Sequence, residues 1–191
     1  MTGVSLIPIL LWVLALACVG IAVWREGEPV MRSFVVDRLL RYLLLFPIGA
    51  QGVWAFIGHV FFPERAAAIG WATSPFQYEV GVANRGLGLA AIYAAFRGFE
   101  ARLAVGVAAA CFLIGAGIGH VRNILASNDL APGNAGPIMV ADFLTPIAVL
   151  VLLLLDRLKP KSAATLALEA ELEIARKAMR EYREALSQLG K

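Results

Sequence analysis

Four ionisable side chains with metal-binding chemistry fall within apolar segments of this chain. They are its two histidines, His59 and His120, and the carboxylates Glu79 and Asp142. An ionisable group at the centre of a bilayer costs about 2.5–3.5 kcal/mol, so such groups usually face a bundle interior or a cavity. Two imidazoles and two carboxylates suit zinc, iron or manganese. The pattern therefore predicts a transition-metal site with these four residues as ligands.

Other polar residues lie at a similar depth, where they are expected to line the pocket and orient the ligands through hydrogen bonds. They are Gln51, Trp71, Asn84, Arg85 and Asn123, and the segment GWATSPFQ, residues 70–77, is predicted to cover the pocket. An open coordination position would let the metal activate a water molecule. The sequence has no HExxH pair and no nucleophile motif. It assigns no catalytic residue and leaves open whether the protein is an enzyme.

Three alternatives stay open beside the metal site. A b-type haem held between His59 and His120 would explain the histidines but not the carboxylates. A transporter or channel would use Glu79 and Asp142 along a polar path. The inner halves of the spans carry few polar residues, which favours a pocket over a pore. A structural or assembly protein would act through its C-terminal helix.

The elements that must position these residues are transmembrane helices. The 191 residues are 60% hydrophobic and 16% charged, whereas a soluble domain is about 25% charged. A span needs roughly 20 apolar residues, and five stretches qualify: 4–24, 36–62, 77–97, 101–124 and 137–157. The third is the most polar. The prediction is an all-α bundle of about five transmembrane helices in residues 1–160.

The basic residues orient this bundle. One side receives most of them: Arg25, Arg32, Arg38, Arg41, Arg97, Arg102, Arg157, Lys159 and Lys161. The opposite side has Arg65 and Arg122 near its loops. Cytoplasmic loops are rich in Lys and Arg, so the N-terminus is predicted outside, the C-terminus in the cytoplasm and the four ligands in the outer half. A net charge of +3 distributed between apolar runs is typical of membrane orientation and not of nucleic-acid binding.

The composition changes after Pro160, and residues 161–191 form a second, charged segment. Apolar side chains there alternate spacings of four and three residues, which is a heptad seam: Leu168, Leu172, Ala175, Met179, Tyr182, Leu186 and Leu189. One interpretation is a coiled coil that supports a homo-oligomer. The other is an amphipathic cytoplasmic helix lying on the membrane surface.

Several motifs resemble an uncharacterised family of small multi-pass prokaryotic membrane proteins. They run from His59-Val-Phe-Phe-Pro63 through Ile69-Gly70-Trp71, Ser74-Pro75-Phe76-Gln77, Glu79-Val80-Gly81 and Ala83-Asn84 to Gly119-His120, Pro132-Gly133-Asn134 and Asp142 with Pro146. The resemblance covers residues 45–155. It implies a multi-pass helical protein of a prokaryotic cytoplasmic membrane, and it implies no activity and no residue roles.

Overall fold

The computed structural model describes residues 6–66, 74–158 and 163–189, and these residues form helices and no strand. The helices follow in the order α1 (Ile7–Glu26), α2 (Arg32–Leu43), a π-helical segment (Leu44–Ala50), α3 (Gln51–Phe61), α4 (Pro63–Ala66), α5 (Phe76–Ala95), α6 (Phe99–Ser127), α7 (Pro137–Arg157) and α8 (Ala163–Leu189). The all-helical prediction is confirmed.

Local sequence explains where several helices begin and end. Pro8 lies in the first turn of α1, where a missing N–H costs nothing. Gly27 follows that helix with φ 77°, a left-handed value that glycine adopts freely. Asn128 ends α6 in the left-handed conformation at φ 52°, which asparagine tolerates better than most residues. Pro47 lies inside the π-helical segment, and it can donate no backbone hydrogen bond there.

Four helices are long and apolar enough to cross a membrane: Ile7–Glu26, the continuous Arg32–Phe61, Phe99–Ser127 and Pro137–Arg157. They correspond to four of the five predicted spans. The remaining predicted span, 77–97, is a helix of similar length, but its first half is too polar for it to join this group by composition. Gln77, Glu79, Asn84 and Arg85 all lie in that half.

Helix α5 nevertheless packs along the second long helix in an antiparallel direction. A Cβ at Gly88 would lie 2.8 Å from the carbonyl oxygen of Gly49, and one at Gly52 would lie 2.9 Å from the Gly88 Cα. Nearer the other end, a Cβ at Gly81 would lie 3.1 Å from the Cβ of His59. Glycines thus let the two backbones touch. With 20 residues, α5 is about 30 Å long, which is close to the thickness of a bilayer core.

The bundle core is purely aliphatic in its middle. Its fully or nearly buried side chains include Leu40, Leu43, Leu44, Ile48, Ala91, Ala94, Ala109, Val149 and Leu153. Many large apolar side chains point outward, including Leu10, Val13, Leu89, Leu144 and Leu154. An apolar exterior around an apolar core is the arrangement that a lipid environment stabilises.

The chain divides into two compact units, residues 1–157 and 158–191. The second unit consists mainly of α8, whose Lys177 and Glu181 lie 3.9 Å apart as an exposed i,i+4 pair. The seam residues Leu168, Met179 and Tyr182 are all more than half exposed in the single chain.

Candidate functional site

The packing of α6 against α7 brings two of the predicted ligands together. Gly117 lets the helices approach, because a Cβ there would lie 2.8 Å from the ring of Phe143. His120 follows one turn later on α6, and Asp142 precedes that ring on α7. The Nε2 atom of His120 lies 3.5 Å from Oδ2 of Asp142, and both side chains are buried.

The loop between these helices supplies a third member, Asn134, which is completely buried. Its Oδ1 lies 2.8 Å from Nδ1 of His120. Its Nδ2 donates to the carbonyl oxygen of Asp129 at 2.8 Å and, more weakly, to that of His120 at 3.4 Å. These two acceptors fix the amide orientation, so Oδ1 accepts a hydrogen bond from the N–H at Nδ1. We call Asp142, His120 and Asn134 the Asp–His–Asn chain.

With a proton on Nδ1 of His120, the role of the other ring nitrogen, Nε2, depends on the charge of the imidazole. In a neutral imidazole the other nitrogen, Nε2, is an acceptor, whereas in an imidazolium it is a donor. A protonated carboxyl group of Asp142 facing Nε2 would be a donor, and an ionised one would be an acceptor for an imidazolium. The geometry thus suits a single proton between His120 and Asp142.

Residues 128–136 are folded around the carboxylate of Asp129. Its Oδ1 accepts from the backbone N–H of Ala131 at 3.0 Å, and its Oδ2 accepts from Nδ2 of Asn123 at 3.0 Å. The backbone N–H of Asn134 in turn donates to the Ala131 carbonyl at 2.8 Å. The loop is thus held in the shape that delivers Asn134 to His120.

Helix α1 contacts the same region through one buried hydrogen bond. The indole Nε1 of Trp12 donates to Oγ1 of Thr145 at 3.0 Å. Thr145 lies one turn beyond Asp142 on α7 and is buried. A third helix is therefore tied to α7 beside the Asp–His–Asn chain.

The other two predicted ligands lie elsewhere. His59 is half-buried on α3, where its Cβ faces Gly81 and its Nδ1 is buried without a hydrogen-bond partner among the described residues. Glu79 is exposed on α5. Across residues 6–66, 74–158 and 163–189, no three or more His, Cys, Asp or Glu side chains form a group that could hold a metal ion. The structure thus places two of the four predicted ligands together, His120 and Asp142.

The predicted pocket residues also separate. Asn123 joins the loop that holds Asn134. Asn84 donates to a carbonyl of its own helix at 2.9 Å, and the guanidinium of Arg85 stacks 4.9 Å from a phenylalanine ring of α3. Gln51 is half-buried on α3. Trp71 and half of the predicted cover, GWATSPFQ, lie outside the described residues.

Sequence reasoning did not assign a role to Asn134, Asp129 or the pair of Trp12 and Thr145. The run Pro132-Gly133-Asn134 did stand out among the family-like motifs. A buried asparagine in a loop leaves no periodic signal, so its role appears only when the loop path is known.

The buried polar side chains form two groups at opposite ends of the bundle. One group contains His120, Asn134, Asp142 and Thr145, and the other contains Arg102 and Asp156. Between them, α7 presents Val149, Leu152 and Leu153 to the core. Within the described residues the interior therefore has no continuous polar path.

A family model covers most of the chain. The model of a family of unknown function, DUF6790, matches residues 5–162, which confirms the resemblance to an uncharacterised family. No curated protein and no solved structure matches the chain.

Proposed function

Because the chain belongs to this family of unknown function, no activity comes with its fold, and we propose from the site alone that it is a proton-responsive integral membrane protein. The Asp–His–Asn chain holds one exchangeable proton between His120 and Asp142. Gain or loss of that proton changes how tightly α6, α7 and the loop 128–136 are held together. The observation that carries the proposal is the fixed orientation of His120, with Asn134 at Nδ1 and Asp142 at Nε2.

The response follows from the cost of burying an uncompensated charge. With one shared proton the His120–Asp142 pair is neutral overall. A second proton leaves a buried positive charge, and removal of the proton leaves a buried negative charge. Either charge is costly in a site shielded from water unless it is paired. Both changes therefore favour an opened arrangement in which water reaches the pair.

The proposed setting is a prokaryotic cytoplasmic membrane with five crossing helices. The basic ends of the helices then face the cytoplasm, the N-terminus lies outside, and the Asp–His–Asn chain reports on the external pH. The arginines at the opposite end from His120 support this orientation: Arg25, Arg38, Arg41, Arg97, Arg102 and Arg157.

The test is the pH dependence of thermal stability in detergent. Wild type is expected to be most stable at intermediate pH and less stable on either side. The double variant His120→Gln/Asp142→Asn keeps the polar contacts but cannot titrate, so its profile should be flat relative to wild type. Glu79→Gln removes an exposed carboxylate and serves as the control, with the wild-type profile. Identical profiles for wild type and the double variant would reduce the Asp–His–Asn chain to a structural contact.

A bound transition metal is the second candidate, and one observation favours it. The 3.5 Å between Nε2 and Oδ2 is close to the roughly 3.3 Å that separates two ligands of a tetrahedral zinc ion. A histidine whose other nitrogen donates to an oxygen is also typical of metal ligands. Catalytic zinc sites use three protein ligands, whereas the described residues supply two here, so we favour the proton. Elemental analysis distinguishes the two: near-stoichiometric zinc, iron or manganese, lost in the double variant, would support the metal.

Haem b and transport are weaker candidates. Axial ligation of haem requires a free imidazole nitrogen, and Nε2 of His120 faces Asp142 instead. A visible spectrum of the purified protein tests the haem hypothesis.

Transport requires a polar path past the aliphatic core. Flux in proteoliposomes that is abolished by Asp142→Asn would support transport.

The tail is proposed to self-associate through its heptad seam. Its exposed seam side chains Leu168, Met179 and Tyr182 would be covered in a coiled coil. Deletion of residues 162–191 should then reduce the number of chains in the detergent-solubilised complex. An unchanged number of chains would leave the tail as a helix on the membrane surface.

A further inference from the structure

A groove of about 310 Å³ opens between the end of α1 and the start of α2, far from the Asp–His–Asn chain. Its lining combines apolar and polar side chains. The apolar ones include Cys18, Ile21 and Phe34, and the polar ones are Arg25, Glu26, Arg38 and Tyr42. A cavity that joins apolar surface to two guanidinium groups fits an amphipathic anion.

The cations beside this groove are only partly neutralised by neighbouring carboxylates. Asp37 receives a strong hydrogen bond from the buried Arg102, with 2.7 Å between Nη1 and Oδ1. Arg102 also donates to the carbonyl of Ala95 at 3.1 Å, so its position is fixed. Arg38 and Arg41 approach the second oxygen of Asp37 at 3.6 and 3.7 Å. Three guanidinium groups therefore share one carboxylate.

The nearest acidic side chain on the groove itself is Glu26, next to Arg25 at the exposed end of α1. Arg25 is exposed, and no described residue forms an ion pair with it. Arg38 lies with its Cζ 4.7 Å from the centre of the Phe34 ring, which holds it against the groove. The groove thus carries one exposed and one oriented guanidinium.

The depth of the groove matches the boundary between hydrocarbon and headgroups. Trp24, which immediately precedes Arg25, is 80% exposed, and exposed tryptophans concentrate at that boundary. Along α1 the lining changes from Cys18 and Ile21, within the apolar span, to Arg25 next to the loop 27–31. A phosphate at the arginines would therefore leave attached acyl chains pointing into the bilayer.

We propose that this groove binds the phosphate headgroup of an anionic phospholipid, with Arg25 and Arg38 as its donors. Charge-assisted bonds from guanidinium to phosphate are among the strongest in proteins, and basic pockets between membrane helices bind such headgroups. Tyr42, which also lines the groove, offers a hydroxyl donor. Lipid binding here is independent of the proposed proton site, which lies at the other end of the bundle.

The test is titration of the delipidated, detergent-purified full chain with short-chain phosphatidylglycerol, followed by native mass spectrometry. Phosphatidylcholine with the same acyl chains and inorganic phosphate are titrated in parallel. Wild type should bind phosphatidylglycerol more tightly than either. Arg25→Gln/Arg38→Gln should weaken its binding roughly 30-fold, since each basic residue contributes about 1 kcal/mol near an anionic surface. The control is Arg97→Gln, because Arg97 is exposed and stacks 4.4 Å from the Tyr93 ring away from the groove.

Three outcomes would overturn the proposal. Equal binding of phosphatidylcholine would show that the groove recognises acyl chains alone. Equal binding of inorganic phosphate would show a site for free phosphate. Unchanged affinity in the double variant would place the lipid elsewhere. If the double variant fails to fold, the exposed Arg25→Gln change alone should still weaken binding about fivefold, and no weakening would equally refute the site.

Discussion

Replacing Asn134 with alanine tests the Asp–His–Asn chain most directly. The change removes two strong hydrogen bonds of 2.8 Å, one with Nδ1 of His120 and one with the carbonyl of Asp129. A buried group left without its partner costs about 1–3 kcal/mol. The third bond, at 3.4 Å, is long and adds little. Because Asp129 is only half-buried and water can replace its lost partner, we expect a total of about 2–4 kcal/mol.

The assay is thermal unfolding of the detergent-solubilised protein followed by circular dichroism. For a chain of this size 1 kcal/mol corresponds to about 2–4 °C, so the midpoint should fall by roughly 4–16 °C. The control is Asn128→Gly in the same loop. Asn128 is exposed and has φ 52°, a value that glycine accepts, so its change should stay within about 0.5 kcal/mol. If Asn134→Ala costs no more than this control, Asn134 does not orient His120 as argued.

Three further predictions concern the bundle. Gly88→Ala should lower the free energy of unfolding by about 1–3 kcal/mol, because its Cβ would lie 2.8 Å from a carbonyl oxygen of the facing helix. Gly86→Ala is the control, since a Cβ there meets no atom within 4 Å. Equal melting midpoints of the two variants would contradict the close packing. Asp37→Asn removes the carboxylate that lies 2.7 Å from the buried Arg102. Because the Asp37 side chain is 34% exposed, the free energy of unfolding should fall by about 1–3 kcal/mol. The exposed Glu100→Gln is its control, and a similar loss there would refute the assignment. A reporter active only in the cytoplasm should work at the C-terminus and fail at the N-terminus if, as proposed, five helices cross the membrane; activity at both termini would indicate four crossings.

The four most apolar long helices were predictable because a run of about 20 apolar residues marks a segment that prefers the hydrocarbon of a bilayer. The predicted span 137–157 coincides with α7, and the predicted 101–124 falls within α6. The second helix instead begins at Arg32 rather than at residue 36. Its first turns are charged on one side and bury Val36 and Leu40 on the other, so the helix extends past the apolar run. Hydropathy does not detect such an amphipathic extension.

The candidate site was predictable only in part, because depth fixes one coordinate of a residue and leaves its rotation about the helix axis open. His120 and Asp142 lie at a similar depth on consecutive antiparallel helices. Their side chains also face each other, with 3.5 Å between Nε2 and Oδ2. His59 belongs to α3 and faces Gly81 of α5 instead. Successive side chains of a helix point in directions that differ by about 100°. When apolar residues occur on every side of a helix, the sequence does not reveal which side contacts which neighbouring helix.

Helix α7 connects the two polar ends of the bundle. It buries Asp142 near one end and Asp156 near the other, and their separation of 14 positions corresponds to about 21 Å along the helix axis. The same buried stripe passes through Thr145, Val149 and Leu152, so its polar ends are separated by aliphatic side chains. A proton at Asp142 has no chain of described polar groups along which to reach Asp156. Helices α1 and α6 also run between the two ends, so any influence of the His120 end on the arginine end would pass through displacement of these packed helices. The Gly106 and Gly117 contacts between α6 and α7 are where a displacement of α7 would meet resistance.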